Sequence, residues 1–279
     1  MRAMIPGSTS PRKPRSTRAS RTGSNRRQGA GSMNTASISR YWSEDAENYD
    51  RIVRDELSGP FKALWQRRLS AMLPARASDV LDFGCGPGFF SVILSELGHR
   101  VTGADISAGM LERARGAAAR HCSENAPRFV RTDGTLGQFA SGSFDAIVSR
   151  NVTWTLLDPR GFYREARRVL RPGGVLVVYD ANWQLPLFDK SLMAKCKRRE
   201  QLCLDQYGST FDGPAISEPF DPAALPLSSV VRPAWDEGVL GKSGFAGIRI
   251  NPSVIGELWS RKEQLLYGET PMFEIVARV

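Results

Sequence analysis

Between residues 80 and 179 the sequence alternates short strand-like runs with longer stretches of helical periodicity. Strands that alternate with helices in this way form a parallel sheet joined by right-handed crossovers, with helices on both faces. We therefore predict an α/β fold with a doubly wound, mostly parallel sheet. The predicted strands are residues 80–83, 100–104, 128–131, 144–149 and 175–179, and the helices between them are residues 88–97, 108–120 and 161–170.

The flanking segments predict N-terminal helices before this region and an inserted lid after strand five. Apolar residues recur at helical spacing over 41–72, with a break expected at Gly59-Pro60. After Asp180 the alternation lapses, and we interpret the following stretch as an insertion over the open edge of the sheet. The chain then closes with a helix near 235–243 and strands near 248–251 and 273–279. The predicted units are a tail at 1–32, a helical cap at 33–75, a binding core at 76–182, a substrate lid at 183–236 and closing strands at 237–279.

The formal net charge of +9 is concentrated in residues 1–32. Eight of the 38 basic side chains and none of the 29 acidic ones lie there, so the remaining 30 bases nearly balance the acids. This segment lacks large apolar side chains, and we expect it to be disordered. It is interpreted as sequence upstream of a start at Met33, as a targeting segment, or as a basic arm for RNA or anionic surfaces. The nearly neutral body disfavours nucleic acid as a partner.

The cysteines and the hydropathy pattern exclude several classes of protein. No two of the four cysteines have C-x-x-C spacing, so neither a zinc site nor a redox motif is expected. Nothing in their pattern requires an oxidising compartment, and we expect a cytoplasmic protein without a metal. No uninterrupted apolar run is long enough to span a bilayer, so no membrane partner is expected.

A glycine-rich loop follows the first predicted strand directly and leads into a helix. Gly84, Gly86 and Gly88 alternate with other residues, which allows a tight turn and a close approach of a ligand to the backbone. A dinucleotide-binding loop has a further glycine where this chain has Phe89, and the lysine-containing phosphate loop of nucleotide hydrolases is absent. Taken alone, such a loop is also compatible with a strand–helix turn that binds nothing.

Acidic residues stand beside the ends of the first three predicted strands. Asp82 precedes the glycine loop, Asp105 follows the second strand and Asp133 follows the third. Since the carboxyl ends of parallel strands meet at one edge, these carboxylates are expected to lie together there. Asp105 is placed to accept hydrogen bonds from ribose hydroxyls, although it could instead only cap the helix that starts near Ser107. Asp133 is placed to accept from an adenine amino group.

The run VLDFGCGPGFFSVILSELGHRVTGADISAGMLERAR resembles the core of the class I S-adenosylmethionine-dependent methyltransferases, which have a Rossmann-like fold. The runs SFDAIVSRN and EARRVLRPGGVLVVYD resemble the fourth-strand and fifth-strand segments of that family, and YWSEDAENYD resembles the helix before its core. The resemblance covers about residues 78–182 and is closest to the small-molecule branch of the superfamily.

This resemblance implies that the chain binds S-adenosylmethionine and releases S-adenosylhomocysteine. It places Asp82 at the ammonium group, Asp105 at the ribose and Asp133 at the adenine amine. The aromatic residues of the helix before the core would close over the cofactor, with plain core packing as the alternative. The implied cofactor-binding residues are Asp82, Gly84, Cys85, Gly86, Gly88, Phe89, Asp105, Ile106, Met110, Asp133, Gly134, Arg150, Tyr41 and Trp42.

Methyl transfer from a sulfonium is a direct displacement, so the protein mainly aligns the acceptor and excludes water. His99 and His121 are predicted at the opposite edge of the sheet, which leaves Asp180, Tyr179 and Asn151 as candidates. Of these, Asn151 and Asp180 are the predicted catalytic residues, although Asp180 could equally cap the next turn. We therefore expect an acceptor that is easily deprotonated or already nucleophilic. Apolar walls of its pocket are expected from the insertion, at Trp183, Leu185, Phe188, Leu192 and Met193, unless these form an ordinary packing face.

The function predicted from these observations is methyl transfer to a small-molecule acceptor such as an amine, a thiol or a phenol. A nucleic-acid methyltransferase is the main alternative, but residues 151–154 read Asn-Val-Thr-Trp, not the Asn-Pro-Pro-Tyr-like motif of enzymes that modify base amines. A non-catalytic S-adenosylmethionine-binding protein is the second alternative. The acceptor, the methylated atom and the oligomeric state are left open by the sequence.

Overall fold

The structure, a computed structural model, describes residues 34–210 and 221–279. The predicted tail at 1–32 and part of the predicted lid, 211–220, lie outside the described residues. The described strands are β1 Asp79–Phe83, β2 Arg100–Asp105, β3 Arg128–Arg131, β4 Phe144–Arg150, β5 Leu170–Asp180, β6 Ala246–Asn251 and β7 Phe273–Arg278. The described α-helices are α1 Thr35–Glu44, α2 Ala46–Ser58, α3 Phe61–Met72, α4 Phe89–Glu96, α5 Ala108–His121, α6 Pro159–Val169, α7 Lys190–Tyr207, α8 Ala234–Lys242, α9 Ile255–Leu258 and α10 Arg261–Tyr267.

The strands of the described part form one sheet in the order β3-β2-β1-β4-β5-β7-β6. β1 to β5 pair in parallel, and β7 pairs antiparallel with both β5 and β6. The predicted doubly wound, mostly parallel sheet is thereby confirmed. β1 is central, with Asp82 paired to Gly103 of β2 and to Val148 of β4. Strand order reverses between β1 and β4, and ligands bind at the carboxyl ends of strands at such a point.

Alternate side chains of the central strands fill two apolar layers, one on each face of the sheet. Val80 and Val177 belong to the layer that includes residues of α3 and α4, whereas Leu81 and Leu176 belong to the layer that includes residues of α6 and α8. All four side chains are fully buried. Burial on both faces explains why these strands read as continuous apolar runs and were recognisable in the sequence.

Some element boundaries differ from the sequence prediction. The expected break at Gly59-Pro60 is present, and a second break lies at Asp45. This residue ends α1, with its N–H donating to Tyr41 O (3.1 Å), and directly precedes α2. β5 begins at Leu170, where it pairs with Phe144 across a register shift, and not at residue 175. The short helices α9 and α10 were not predicted, since neither is long enough to show a clear apolar period.

The described part of the insertion packs against the C-terminal region. The Arg199 guanidinium on α7 donates to Glu269 (2.7 Å) and to Leu265 O (3.2 Å). Cys203 on the same helix is buried in the layer shared with α3 and α4. α7 is therefore anchored to α10. Among the described helices, none combines the length and the apolar character needed to cross a membrane.

Candidate active site

A cavity of about 350 Å³ opens at the carboxyl edge of the sheet. The loop after β1 and the residues that follow β2, β3 and β4 form its base, and α1 and α2 cover it. The cap is tied to the turn between β2 and α5: the Ser39 hydroxyl donates to Ile106 O at 3.0 Å, and the Ser43 and Ser107 hydroxyls lie 2.8 Å apart. The predicted edge and the N-terminal helices together enclose this site.

Most residues that the sequence pointed to line this cavity. Gly88 does not; its Cα faces Ala114 of α5, and a Cβ there would lie 3.2 Å from Ala114. Tyr41 also does not: it is buried in the core, edge-on to Trp42, so its expected contact with the cofactor is corrected to a packing role. The lining residues among the predicted set are Trp42, Asp82, Gly84, Cys85, Gly86, Phe89, Asp105, Ile106, Met110, Asp133, Gly134, Arg150 and Asn151.

The glycine loop turns back on the end of β2 and leaves one backbone position open to the cavity. The N–H groups of Gly84 and Cys85 both donate to Ala104 O, at 2.7 and 3.0 Å. The Gly86 N–H donates to the Asp105 carboxylate at 2.9 Å. Gly86 has a φ of 51°, and a Cβ there would meet nothing within 4 Å. A ligand can therefore approach this stretch of backbone directly.

Asp82 is a buried carboxylate in the cavity wall, 2% exposed. Its Oδ2 accepts a hydrogen bond of 2.6 Å from the Ser91 hydroxyl. Burial raises the pKa of Asp82 to about 7, against the lowering effects of Ser91 and Arg150, and the negative charge of Asp105 adds to the rise. A carboxylate that is desolvated to this extent gains strongly from a bound cation.

Asp105 connects the end of β2 to both neighbouring turns. Its carboxylate accepts from the Gly86 N–H and from the Ser107 N–H (2.8 Å), and burial raises its pKa. Ser107 itself caps α5 by accepting from the Met110 N–H at 3.1 Å. Asp105 therefore supports the turn before α5 and also holds the glycine loop in place.

Asp133 lies at the exposed end of the cavity, after β3. Its Oδ1 accepts from the Thr135 hydroxyl (2.6 Å) and from the Thr135 N–H (2.9 Å), and these hydrogen bonds lower its pKa. Gly134 follows with a φ of 88°. Asp133 is thus ionised at neutral pH and fixed in orientation at the cavity rim.

Arg150 forms an ion pair with Glu56 that was not expected from the sequence. Its two terminal nitrogens donate to the two Glu56 oxygens at 3.0 and 2.8 Å, and its guanidinium lies 4.3 Å from the centre of the Phe89 ring. Burial acts to raise the Glu56 pKa, but the charge and hydrogen bonds of Arg150 lower it overall. Glu56 shares a helix face with Tyr49 and Val53, yet no local pattern pairs it with a residue 94 positions away.

Asn151 is held in an unusual conformation at the end of β4. Its φ is 60°, and both polar atoms of its side-chain amide are buried without a hydrogen bond of ordinary geometry. The nearby Tyr49 hydroxyl is influenced by this amide, which lowers the Tyr49 pKa, whereas burial raises that pKa to a net value of about 12. A strained residue with an unsatisfied amide in a cavity wall is typical of a ligand-binding position.

Asp180 is not in the cavity lining, and the structure corrects its interpretation as a catalytic candidate. It is fully buried, and both of its oxygens accept hydrogen bonds. The Ala181 N–H (2.9 Å) and the Trp183 indole N–H (3.0 Å) reach one oxygen. The Thr153 hydroxyl (2.5 Å), the Trp154 N–H (2.9 Å) and Arg232 (3.0 Å) reach the other. Both oxygens of this carboxylate are engaged inside the protein, and they hold the turn after β4.

The two histidines and the apolar insertion residues named above lie away from the cavity. Neither of the two histidines lines the cavity: His99 immediately precedes β2, and His121 ends α5. Of the insertion residues expected as apolar walls, none lines the cavity either; Trp183 stacks on Trp259, and Phe188 is half exposed. The apolar walls come instead from α1 and α2, through Ile38, Trp42 and Val53 among others.

The comparisons with known proteins agree with this geometry. Residues 81–178 match a family model described as a methyltransferase domain. The chain is similar in fold to an S-adenosylmethionine-dependent methyltransferase from Mesorhizobium loti, with a TM-score of 0.53 and 21% identity over 80% of this chain and 100% of that one. The fold, the glycine loop and the match over residues 81–178 agree with the predicted resemblance to the class I S-adenosylmethionine-dependent methyltransferases.

Curated relatives are similar over part of their length. The chain is 38% identical over 145 residues to a demethylmenaquinone methyltransferase from Tropheryma whipplei, which is 52% of this chain and 59% of that protein. It is 30% identical over 155 residues to an uncharacterized methyltransferase from Mycolicibacterium gilvum, which is 56% of this chain and 58% of that protein. The chain thus spans less than two thirds of the length of these relatives.

The cavity fits the cofactor of this superfamily, S-adenosylmethionine. Asp82 is a buried carboxylate facing the cavity, as an ammonium group requires. The empty space above Gly86, which a Cβ would fill, leaves room for the methionine part of the cofactor to pass over the backbone. Ile106 and Met110 supply apolar surface between these groups and Asp133. The observed donors, acceptors and apolar surface match the charges and the shape of that molecule.

Proposed function

We propose that this chain transfers the methyl group of S-adenosylmethionine to a small-molecule acceptor with an apolar, aromatic body and one nucleophilic oxygen, nitrogen or sulfur. The observation that carries the proposal is the composition of the cavity next to the cofactor loop. Ile38, Trp42 and Val53 form apolar walls there, while Tyr49 and Asn151 add a hydroxyl and an amide. Such a cavity suits a compact apolar molecule with one polar group.

We propose that different residues bind the different parts of the cofactor. The bound cofactor supplies a methyl group that is already activated by its sulfonium. Asp82 holds the ammonium group, the Asp105 carboxylate binds the ribose, and Asp133 with Ile106 holds the adenine. The cap formed by α1 and α2 excludes water from the reacting atoms, since Ser39 and Ser43 fasten α1 to the turn before α5.

The acceptor side of the site works by orientation. The Asn151 amide, which is buried and unsatisfied, can donate to and accept from the polar group of the acceptor. Tyr49, with a pKa of about 12, stays protonated and can act as a hydrogen-bond donor but not as a base near neutrality. Neither histidine lines the cavity and Tyr49 stays protonated, which supports an acceptor that reacts as an anion formed in solution or as a neutral nucleophile.

The relative from Tropheryma whipplei, named for demethylmenaquinone, supports including hydroquinones among the candidate acceptors. The first measurement is a thermal shift with S-adenosylmethionine and S-adenosylhomocysteine, because a ligand of the native state raises apparent stability. The second is formation of S-adenosylhomocysteine with a panel of phenols, hydroquinones, amines and thiols, with RNA as a separate arm.

The expected result is stabilisation by both ligands and turnover with an aromatic acceptor. For a series of substituted phenols, the pH at which the rate reaches half its maximum should follow the pKa of each phenol. With S-adenosylmethionine saturating at every pH, a rate that followed one fixed enzyme pKa for every phenol would contradict the absence of a protein base. Methylation of RNA alone would overturn the small-molecule proposal, and no stabilisation by either ligand would overturn the cofactor roles.

A further inference from the structure

The pair formed by Arg150 and Glu56 joins the end of β4 to the cap helix α2. The two side chains are 9% and 25% exposed, and the two hydrogen bonds between them are parallel and bidentate. The guanidinium also lies within 5.5 Å of the ring centres of Trp65, Phe89 and Phe90. Arg150 is therefore held in one place in the cavity wall, and its charge is balanced by a residue from the cap.

Arg150 also lies close to the carboxylate that faces the cavity. Asp82 on β1 pairs with Val148, two residues before Arg150 on β4, so the two side chains leave adjacent strand ends. Their charges influence each other: Arg150 lowers the pKa of Asp82, and Asp82 raises the pKa of Arg150. The charges that act on Asp82 thus include the cation Arg150 and the carboxylate Asp105, and Glu56 pairs with that cation.

The methyl donor and its product differ in charge at one atom. S-adenosylmethionine carries a positive sulfonium, whereas S-adenosylhomocysteine has a neutral thioether there. The sulfur is four covalent bonds from the ammonium nitrogen, roughly 5 Å away at most. When Asp82 holds the ammonium group, the sulfonium therefore lies within the range at which the Arg150 charge is felt. An unbalanced guanidinium would oppose the donor more than the product.

We propose that Glu56 determines the charge selectivity of this site by cancelling the Arg150 cation, so that the cavity retains the sulfonium donor in preference to the neutral product. The inference rests on the proposed function, in which S-adenosylmethionine is the donor. Glu56 acts on the bound cofactor through its ion pair with Arg150, so it is a positioning residue and not a catalytic one. The cap helix thereby contributes to donor recognition as well as covering the cavity.

The test compares the dissociation constants of the two ligands by calorimetry in the full chain. In Glu56→Gln, the ratio of the Kd for S-adenosylmethionine to the Kd for S-adenosylhomocysteine should rise by about tenfold or more, since a unit charge about 12 Å away at an effective dielectric constant of about 20 already has a tenfold effect. In the double variant Glu56→Gln, Arg150→Met, which has neither charge, the ratio should return to within about threefold of the wild-type value.

A matched control is Glu257→Gln. Glu257 also pairs with an arginine, Arg68, at 2.6 Å, but it is on α9 and does not line the cavity. This variant should leave the ratio unchanged. If Glu56→Gln fails to fold, Arg150→Met provides the complementary test, because it removes the cation and leaves the Glu56 carboxylate. At about pH 8, where a glutamate is ionised, the ratio of the two Kd values should fall below that of the wild type.

The outcomes separate this inference from the proposed function. Equal weakening of both ligands in Glu56→Gln, with the ratio unchanged, would mean that Glu56 only supports the structure, and the inference would be overturned. An unchanged ratio in Arg150→Met would overturn it as well. If the wild-type chain bound neither ligand, the proposed function itself would fail.

Discussion

The Arg232 guanidinium donates a hydrogen bond of 2.7 Å to the Thr153 hydroxyl, behind the turn that forms one wall of the cavity. Arg232 is flanked by two buried carboxylates, Asp180 at 3.0 Å and Asp236 at 2.7 Å. The Tyr163 hydroxyl completes this network by donating to Asp236 at 2.5 Å. The network links the turn after β4 to α6 and to α8.

Replacing Thr153 by Val should loosen this turn. The variant loses a hydroxyl that donates to Asp180 and accepts from Arg232, so we expect a loss of about 1–3 kcal/mol in the free energy of unfolding. The KM for the acceptor should rise more than the Kd for S-adenosylmethionine, because the turn carries Asn151. Chemical denaturation and steady-state kinetics measure these two effects.

Two variants serve as controls for Thr153. Thr153→Ser keeps the hydroxyl and should restore most of the stability and the KM. Ser228→Ala removes another buried hydroxyl, which donates to Pro222 O, and should lower stability without changing the KM. A change of KM in Ser228→Ala equal to that in Thr153→Val would show that the effect is not specific to the turn.

The raised pKa of Asp82 predicts that cofactor binding depends on pH. Since burial raises this pKa to about 7, Asp82 is largely protonated at pH 6 and must release its proton to hold an ammonium group. The affinity for S-adenosylmethionine should therefore increase as the pH rises through 7. Calorimetry at about pH 6 and about pH 8 measures it, and Asp82→Asn should bind weakly and lose most of this dependence.

The same group should affect the stability of the ligand-free chain in the opposite direction. Its folded pKa is higher than its unfolded value of about 4, so folding takes up a proton between these pH values. The contribution of Asp82 is then favourable below pH 4 and is lost as the pH rises through 7. The difference in unfolding free energy between wild type and Asp82→Asn should grow over this range. A constant difference would show that Asp82 is not perturbed.

Gly86→Ala should impair cofactor binding more than it impairs folding. The new Cβ meets no atom within 4 Å, so the folded chain bears only the strain of a positive φ, about 1–2 kcal/mol. The methyl group would occupy the space proposed for the cofactor, and we expect the Kd for S-adenosylmethionine to rise at least about tenfold, or about 1.4 kcal/mol.

Gly142 provides a matched comparison. It has a φ of 63°, no atom near its Cβ position and no place in the cavity lining. Gly142→Ala should therefore show a similar loss of stability with an unchanged Kd. Calorimetry and thermal unfolding of both variants separate backbone strain from occlusion, and equal Kd values in the two would argue against the path proposed over Gly86.

Asn151→Gly should stabilise the chain while impairing catalysis. Glycine adopts a φ of 60° without strain, and the change also removes a buried amide that has no hydrogen bond of ordinary geometry. We expect a gain of about 1 kcal/mol in unfolding free energy and a clear loss of kcat/KM for the acceptor. Asn151→Ala keeps the strain, so it should lose activity without the gain. Full activity in Asn151→Gly would exclude a role for the amide.

The sequence predicted the core of the fold because its signals are local. β3 and the helices α4 and α5 lie within a residue or two of the predicted positions, since each is a run of one periodicity bounded by glycine, proline or a cap. The glycine loop and the acids Asp82, Asp105 and Asp133 were found for the same reason: strand ends in a parallel sheet converge by topology.

The errors concern contacts between distant parts of the chain. Asp180 stands at a strand end like Asp105, but Arg232, 52 positions away, donates a hydrogen bond to one of its oxygens. The importance of Glu56 depends on Arg150, and nothing in either local pattern indicates their pairing. Tyr41 and Trp42 are adjacent, and only the packed structure decides which of them faces the cavity.

The position of β7 has a consequence for synthesis of the chain. β7 follows all the other described strands in the sequence, yet it lies between β5 and β6. Until it emerges from the ribosome, the buried run Val175–Tyr179 of β5 presents an unpaired edge, and β6 has no neighbour in the sheet. Exposed apolar edges of this kind recruit other strands. A product truncated before Phe273 should therefore aggregate even though every proposed cofactor-binding residue has already been made.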